Sequence, residues 1–434
     1  MDKMADVLGR AGAWCGQNKY LSAIKNAFQN FMPLTIAGAI GVLWCNVLVN
    51  DQTGLGLFFK PIMALDFLNP AFQAVNFCTI SCITVGITLG IAQEIGVWNM
   101  GAERAGYIPG LVGLAAWLSV TNTSHMVEGA KEAFTGIAGN ELGATGLFTG
   151  MIIGVLSVEL FCFFEKQDAL KIKMPEQVPP GVARAFEVLV PATLTLIITA
   201  CIGSACYNLT GLYLNDVIKN GIQGPLGAVG ATIPGVMIIY LVIMLFWLVG
   251  IHGNNMLSAV KEALFTPLAL ENVEKFNKGE KPTNIINMYA LQMWGEFGGS
   301  GVTIGLVIAI MIFGKREDNK AIATLSLVPG LFNINETVTF GIPMVLNPIL
   351  GIPFVFACLV TILVGYVLTV IGFCPVACLT VPWTTPPIVF GFLATGANVM
   401  GAVTQAILIV VSTVIYTPFL ISYEKYQNKQ AAEA

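Results

Sequence analysis

Charge is the scarcest property of this chain. Asp, Glu, Lys and Arg make up 11% of its 434 residues, against about 25% in an average soluble domain. That little charge does not solubilise a surface of this size, and no nucleic-acid partner is expected from it. Histidine is scarcer still, with only His125 and His252, which leaves the cysteines without imidazole partners. Cys78/Cys82 and Cys374/Cys378 are spaced C-x3-C and Cys201/Cys206 C-x4-C, all inside apolar runs. No metal site is expected of them, and they read as buried, reduced thiols filling the core. No Walker motif, HExxH or G-x-S-x-G occurs, and the cluster Gly295, Gly298, Gly299, Gly301 and Gly305 does not match G-x-G-x-x-G. A nucleotide site and a resident cofactor are therefore not expected.

Apolar sequence is abundant instead. Hydrophobic residues reach 56% and glycines number 46, with a mean hydropathy of +0.77. Apolar runs at residues 31–49, 72–95, 147–164, 186–206, 231–251, 351–373 and 401–421 are each long enough to cross a hydrocarbon core of about 30 Å. The expectation is an all-α polytopic membrane protein with about ten transmembrane helices. All basic residues except Lys60, Arg104, Lys131 and Lys219 fall into five clusters: the N-terminus, 166–184, 261–281, 315–320 and the tail. By the positive-inside rule these clusters are cytoplasmic, and so are both termini. Residues 1–30 carry Leu8, Ala11, Trp14, Leu21, Ile24 and Phe28 at near-helical spacing with Lys3, Arg10, Lys19 and Lys25 between them. They read as an amphipathic interfacial or cytoplasmic segment, with no cleavable signal peptide. Glu103 and Arg104 read as an ordinary loop pair after the second span.

The two halves differ in character. Residues 31–228 form five regular spans with an amphipathic external bridge at 207–227, a scaffold. Residues 229–422 are repeatedly interrupted, at Gly250–Asn255, at the glycine cluster, at Pro329-Gly330 and at Pro382–Pro387; residues 423–434 are a tail. Broken helices free backbone groups that need partners, so such backbone at membrane depth lines cavities or is buried in protein. Two re-entrant hairpins and the solute site are expected in this second half.

Two polar strings stand inside it, His252-Gly253-Asn254-Asn255 and Asn333-Ile334-Asn335-Glu336. A charged side chain at membrane depth costs about 2.5–3.5 kcal/mol even on lenient scales, so such groups are kept where they hold something. Carboxamides, imidazole and carboxylate together offer dense hydrogen bonding suited to a polyhydroxylated solute. No basic residue lies within fifteen positions of Glu336. A lone carboxylate in an apolar hairpin is desolvated, which suits a general base or a proton carrier. Asn333 and Asn335 are expected to cap the hairpin, contact the solute, or both. Trp247, Trp294 and Trp383 are candidates to pack on sugar faces, with the interfacial aromatic belt as the competing role. Thr384 and Thr385 either add hydroxyl contacts or satisfy backbone freed by the prolines.

These strings, with Thr337-Val338-Thr339-Phe340-Gly341 and Val381-Pro382-Trp383-Thr384-Thr385-Pro386-Pro387, resemble the IIC membrane component of bacterial phosphotransferase-system permeases. The lactose/cellobiose/N,N'-diacetylchitobiose branch is the nearest in pattern. The resemblance implies a homodimer of ten-span subunits, paired through the N-terminal spans, whose second half binds the sugar and moves it inward. It also implies that a separate phosphocysteine IIB protein phosphorylates the sugar 6-hydroxyl at the cytoplasmic face. Glu336 and His252 would be the catalytic residues. Asn254, Asn255, Asn333, Asn335, Trp247, Trp294, Trp383 and Thr384 would bind substrate. The disaccharide would be cellobiose or diacetylchitobiose, with lactose as the second choice. The basic segments 166–184 and 261–281 would dock IIB. The rival from another class is a proton-coupled sugar symporter in which Glu336 titrates and His252 relays.

Overall fold

The computed structural model describes residues 10, 13–14, 17–51, 55–125, 134–175, 177–342 and 344–433. Residues 1–9, 11, 12, 15 and 16 of the expected N-terminal amphipathic segment lie outside the described residues; residues 10, 13, 14 and 17 are helical, Trp14 is exposed, and from Lys19 the segment runs into a helix that continues to Leu43. The fold is helical almost throughout. Among the described residues the strands are β1 (Ser124–His125) and β2 (Phe134–Thr135), a short antiparallel pair. His125 sits there bonded to Asn122, in a polar loop.

Among the described residues five helices are long and apolar enough to cross a membrane: Lys19–Leu48, Ala144–Glu165, Pro180–Thr210, Gly351–Val370 and Val399–Glu433. Two bent pairs raise the number to seven, and Ile108–Val120 and Ile233–Leu248 are shorter apolar helices. Local chemistry accounts for several starts. Asn18 Oδ1 accepts from the N–H groups of Tyr20 and Leu21. Pro109 occupies the first turn of Ile108–Val120, where its missing donor costs nothing. Thr232 Oγ1 accepts from Gly235 N ahead of Ile233–Leu248, a side-chain cap.

The chain divides into two compact units. One comprises residues 17–38 and 75–228; the other comprises residues 39–74 and 229–434 with the few described residues before 17. In the first unit α1 (Ile83–Met100), α2 (Ile108–Val120), α3 (Ala144–Glu165) and α4 (Leu189–Thr210) pack as a bundle around Ile87, Ile91, Trp117, Leu147 and Phe161. Several of its charges are paired. Lys19 meets Glu159 at 2.6 Å, and Asn26 Nδ2 donates to Glu94 at 2.9 Å. Arg104 does not pair with Glu103. It bridges Glu165 and Glu187 at 2.8 and 2.9 Å, and Arg184 binds the same two carboxylates. The adjacent acid lost that competition because Glu165 is almost fully buried at the end of α3 and needs a cation.

The second unit holds the interrupted helices: α5 (Ile233–Leu248), α6 (Gly253–Asn277), α7 (Met288–Gly295), α8 (Ile304–Phe313), α9 (Glu317–Leu331), α10 (Glu336–Gly341), α11 (Gly351–Val370), α12 (Val389–Ala394) and α13 (Val399–Glu433). Residues 288–302 and 304–313 are bent by 59° at the glycine cluster. Helices α9 and α10 fold back on each other around residues 332–335. A second hairpin carries residues 379–388 at its tip and closes where Cys378 N and Leu379 N both donate to Ala394 O. Tyr240, Phe265, Trp294, Phe297, Phe354 and Tyr416 are fully buried in the core. All described cysteines are free, and Cys162, Cys358, Cys374 and Cys378 are buried as expected. Cys45, Cys82 and Cys206 are half-buried, and Cys78 and Cys201 are exposed instead.

Candidate functional site

Four chain breaks of the second unit converge, and Asn333 ties three of them together. Its backbone is left-handed, with φ 63°, a conformation Asn tolerates better than most residues. From there Oδ1 accepts from Gly298 N at 2.6 Å. Nδ2 donates to the carbonyls of Trp383 and Thr385. Both amide protons of this side chain are thus committed. Asn335, almost fully buried, donates from Nδ2 to Ser300 O at 2.7 Å, and Asn254 donates to Ser300 Oγ at 3.1 Å. The glycine cluster is what lets these side chains reach backbone. Gly299 has φ 87°, and a Cβ there would sit 2.5 Å from Asn335 Cγ.

This geometry changes the reading of both asparagines. Neither caps a helix: no side-chain cap bond is made at the start of α10. They replace partners that broken backbone loses at membrane depth.

His252 ends the break before α6. The helices α5 and α6 approach so closely behind it that a Cβ on Gly253 would lie 2.0 Å from Ile243 O. The imidazole is held from two sides. Its ring centroid lies 4.4 Å from that of Trp247, and Nδ1 accepts from Asn255 N at 3.3 Å. An accepting Nδ1 assigns the ring proton to Nε2. That nitrogen points at Glu336, with Nε2 and Oε1 3.9 Å apart and the two side chains 40% and 48% exposed. The separation is too long for a direct hydrogen bond. A hydroxyl oxygen about 2.8 Å from each atom would close the triangle, accepting from Nε2–H and donating to the carboxylate. Glu336 is half open, so the desolvation expected from the sequence is not imposed on it here.

The remaining candidates separate cleanly. Trp383 is 44% exposed at its hairpin tip while its carbonyl is held by Asn333. Thr384 is half-buried beside it, and the turn is closed by Thr385 N donating to Pro382 O. Asn255 is exposed; Asn254 is half-buried with Oδ1 unpartnered among the described residues. Trp247 is buried and orients His252. Trp294 is a core residue. It is 1% exposed and presses on Gly365 of α11, where a Cβ would come within 2.3 Å of the indole. Packing, not sugar stacking, is its role.

One group was not foreseen. Lys261 and Glu296 form a buried ion pair, and Tyr240 Oη donates to the same Glu296 oxygen at 2.7 Å. The Lys261 ammonium also lies 5.6 Å from the Tyr240 ring centroid. Lys261 is 6% exposed, so it leaves the basic cluster 261–281 and presents nothing for docking. The signal was available: Glu296 is a carboxylate set among Trp294, Gly295, Phe297 and Gly298, with its nearest basic residue, Lys281, fifteen positions away.

Comparison with known proteins bears on this arrangement. The family described as "Phosphotransferase system, EIIC" matches residues 25–358. The oligo-beta-mannoside-specific EIIC component of Bacillus subtilis is 33% identical over 98% of this chain and 94% of its own length. The cellobiose-specific EIIC component of Lactococcus lactis is 29% identical over 98% of both chains. The crystal structure of the transporter ChbC, the IIC component from the N,N'-diacetylchitobiose-specific phosphotransferase system, superposes with a TM-score of 0.88 at 28% identity, covering 97% of each chain. The all-helical fold, its broken second half and these matches along nearly the whole sequence agree: the chain belongs to the phosphotransferase-system EIIC family of multi-pass membrane sugar permeases.

Proposed function

We propose that the second unit binds a β-linked disaccharide, cellobiose or diacetylchitobiose before lactose, and presents its 6-hydroxyl for phosphorylation by a separate phosphocysteine IIB protein. The observation that carries the reading is the His252–Glu336 gap of 3.9 Å, framed by four interlocked chain breaks. The 6-hydroxyl oxygen accepts from His252 Nε2–H and donates toward Glu336. Glu336 takes the proton as the oxygen attacks phosphorus, and the cysteine thiolate of IIB departs. Phosphoryl transfer asks the host mainly for positioning and charge stabilisation, which a rigid imidazole and a free carboxylate supply. Trp383 offers an indole face to the sugar, with Thr384, Asn254 and Asn255 around it. The scaffold spans pair two copies as a homodimer, and both termini are cytoplasmic, where IIB docks.

Vesicles loaded with phosphorylated IIB test this reading. Sugar phosphate should accumulate inside, and a protonophore should leave the rate unchanged. Free sugar that collapses with the proton gradient would instead establish the symporter. Trp383→Ala should weaken disaccharide binding by about 1 kcal/mol or more if the indole stacks. Affinity equal to the parent protein's would place that residue at the membrane interface.

A further inference from the structure

Glu296 is held in an unusual way for a largely buried carboxylate. Lys261 and Tyr240 both bind the same oxygen, Oε1. Oε2 has no partner among the described residues and is not sealed from the surface; the side chain is 17% exposed. A carboxylate fixed only as an internal counter-ion would be expected to place a donor on each oxygen. Here one oxygen anchors and the other is left available.

Position decides what it is available to. Glu296 lies two residues before Gly298, whose N–H is gripped by Asn333, and Asn333 lies three residues before Glu336. The imidazole of His252 faces Glu336 across 3.9 Å. The two carboxylates are therefore registered to one another through a single carboxamide. Lys261 pairs with Glu296, while Glu336 faces the His252 imidazole.

We infer that Glu296 is a second substrate-contacting residue, its Oε2 accepting a hydrogen bond from a ring hydroxyl of the bound disaccharide other than the one phosphorylated. Lys261 and Tyr240 are positioning residues that aim it. The inference rests on the functional reading above.

The test is equilibrium binding without any phosphoryl donor, using cellobiose, diacetylchitobiose and their monodeoxy analogues. Against the parent protein, one ring-monodeoxy analogue should bind at least about tenfold more weakly than its parent sugar, the value of a hydrogen bond to a charged acceptor. Glu296→Gln should erase that difference, binding both sugars alike. Lys261→Met/Glu296→Gln, which buries no lone ammonium, should do the same. Should neither glutamine variant fold, Glu296→Asp keeps the charge beside Lys261, withdraws the oxygen, and should also lose the discrimination. A folded variant that still discriminates the analogues as the parent protein does would overturn the inference, as would a parent protein indifferent to every ring-monodeoxy sugar. Either result leaves phosphorylation in loaded vesicles intact, whereas failure to bind any β-linked disaccharide removes the functional reading itself.

Discussion

Glu336→Gln should bind disaccharide within a few-fold of the parent protein and transfer phosphate about 10²- to 10⁴-fold more slowly, the range typical of losing a general base. The split follows from the geometry. Glutamine keeps an oxygen at the Oε1 position and so retains the acceptor that, with His252 Nε2, brackets the hydroxyl across 3.9 Å. It cannot take the proton. The half-open side chain leaves little packing to disturb, so the fold should be unaffected. Measured transfer from phosphorylated IIB, set beside equilibrium sugar binding, reads the two effects apart. Equal losses in both would reduce Glu336 to a binding residue. Under the symporter alternative the same variant would abolish proton-driven uptake while leaving exchange of sugar intact, so the experiment separates mechanisms as well as roles.

How far the sequence disclosed this arrangement depends on which physical signal each feature leaves. Membrane character and helical class follow from apolar run length alone, because a lipid core demands them. The hairpins were legible from Pro329-Gly330 and Pro382–Pro387, since prolines inside apolar sequence must end or bend a helix. His252 and Glu336 stood out because ionisable groups at such depth are expensive. The roles of Asn333 and Asn335 were not legible. Their bonds go to backbone of other segments, and no local pattern encodes which distant carbonyl or N–H a carboxamide will meet. Trp294 misled for the opposite reason: closeness in sequence to the glycine cluster said nothing of Gly365, the residue that makes room for it. Lys261 was hidden by charge counting, which assigns every lysine near others to one aqueous face and cannot see a partner far along the chain.

That last error makes a sharp test of the structure. Were Lys261 a surface lysine of a cytoplasmic loop, Lys261→Met would change stability by no more than about 0.5 kcal/mol. In the structure Lys261 is 6% exposed and its ammonium is bound to Glu296. Removing one member of a buried pair strands the other, a loss of about 3–5 kcal/mol. Lys261→Met should therefore unfold far below the parent protein in thermal or denaturant melts of purified, detergent-solubilised protein. The companion Lys261→Met/Glu296→Gln should recover most of the loss, because the amide oxygen still accepts from Tyr240 Oη and no net charge stays buried. Non-additivity of that sign is diagnostic of direct contact. If the single variant melts with the parent protein, Lys261 lies in water, the triad with Glu296 and Tyr240 does not form, and the free oxygen assigned to the sugar loses its support.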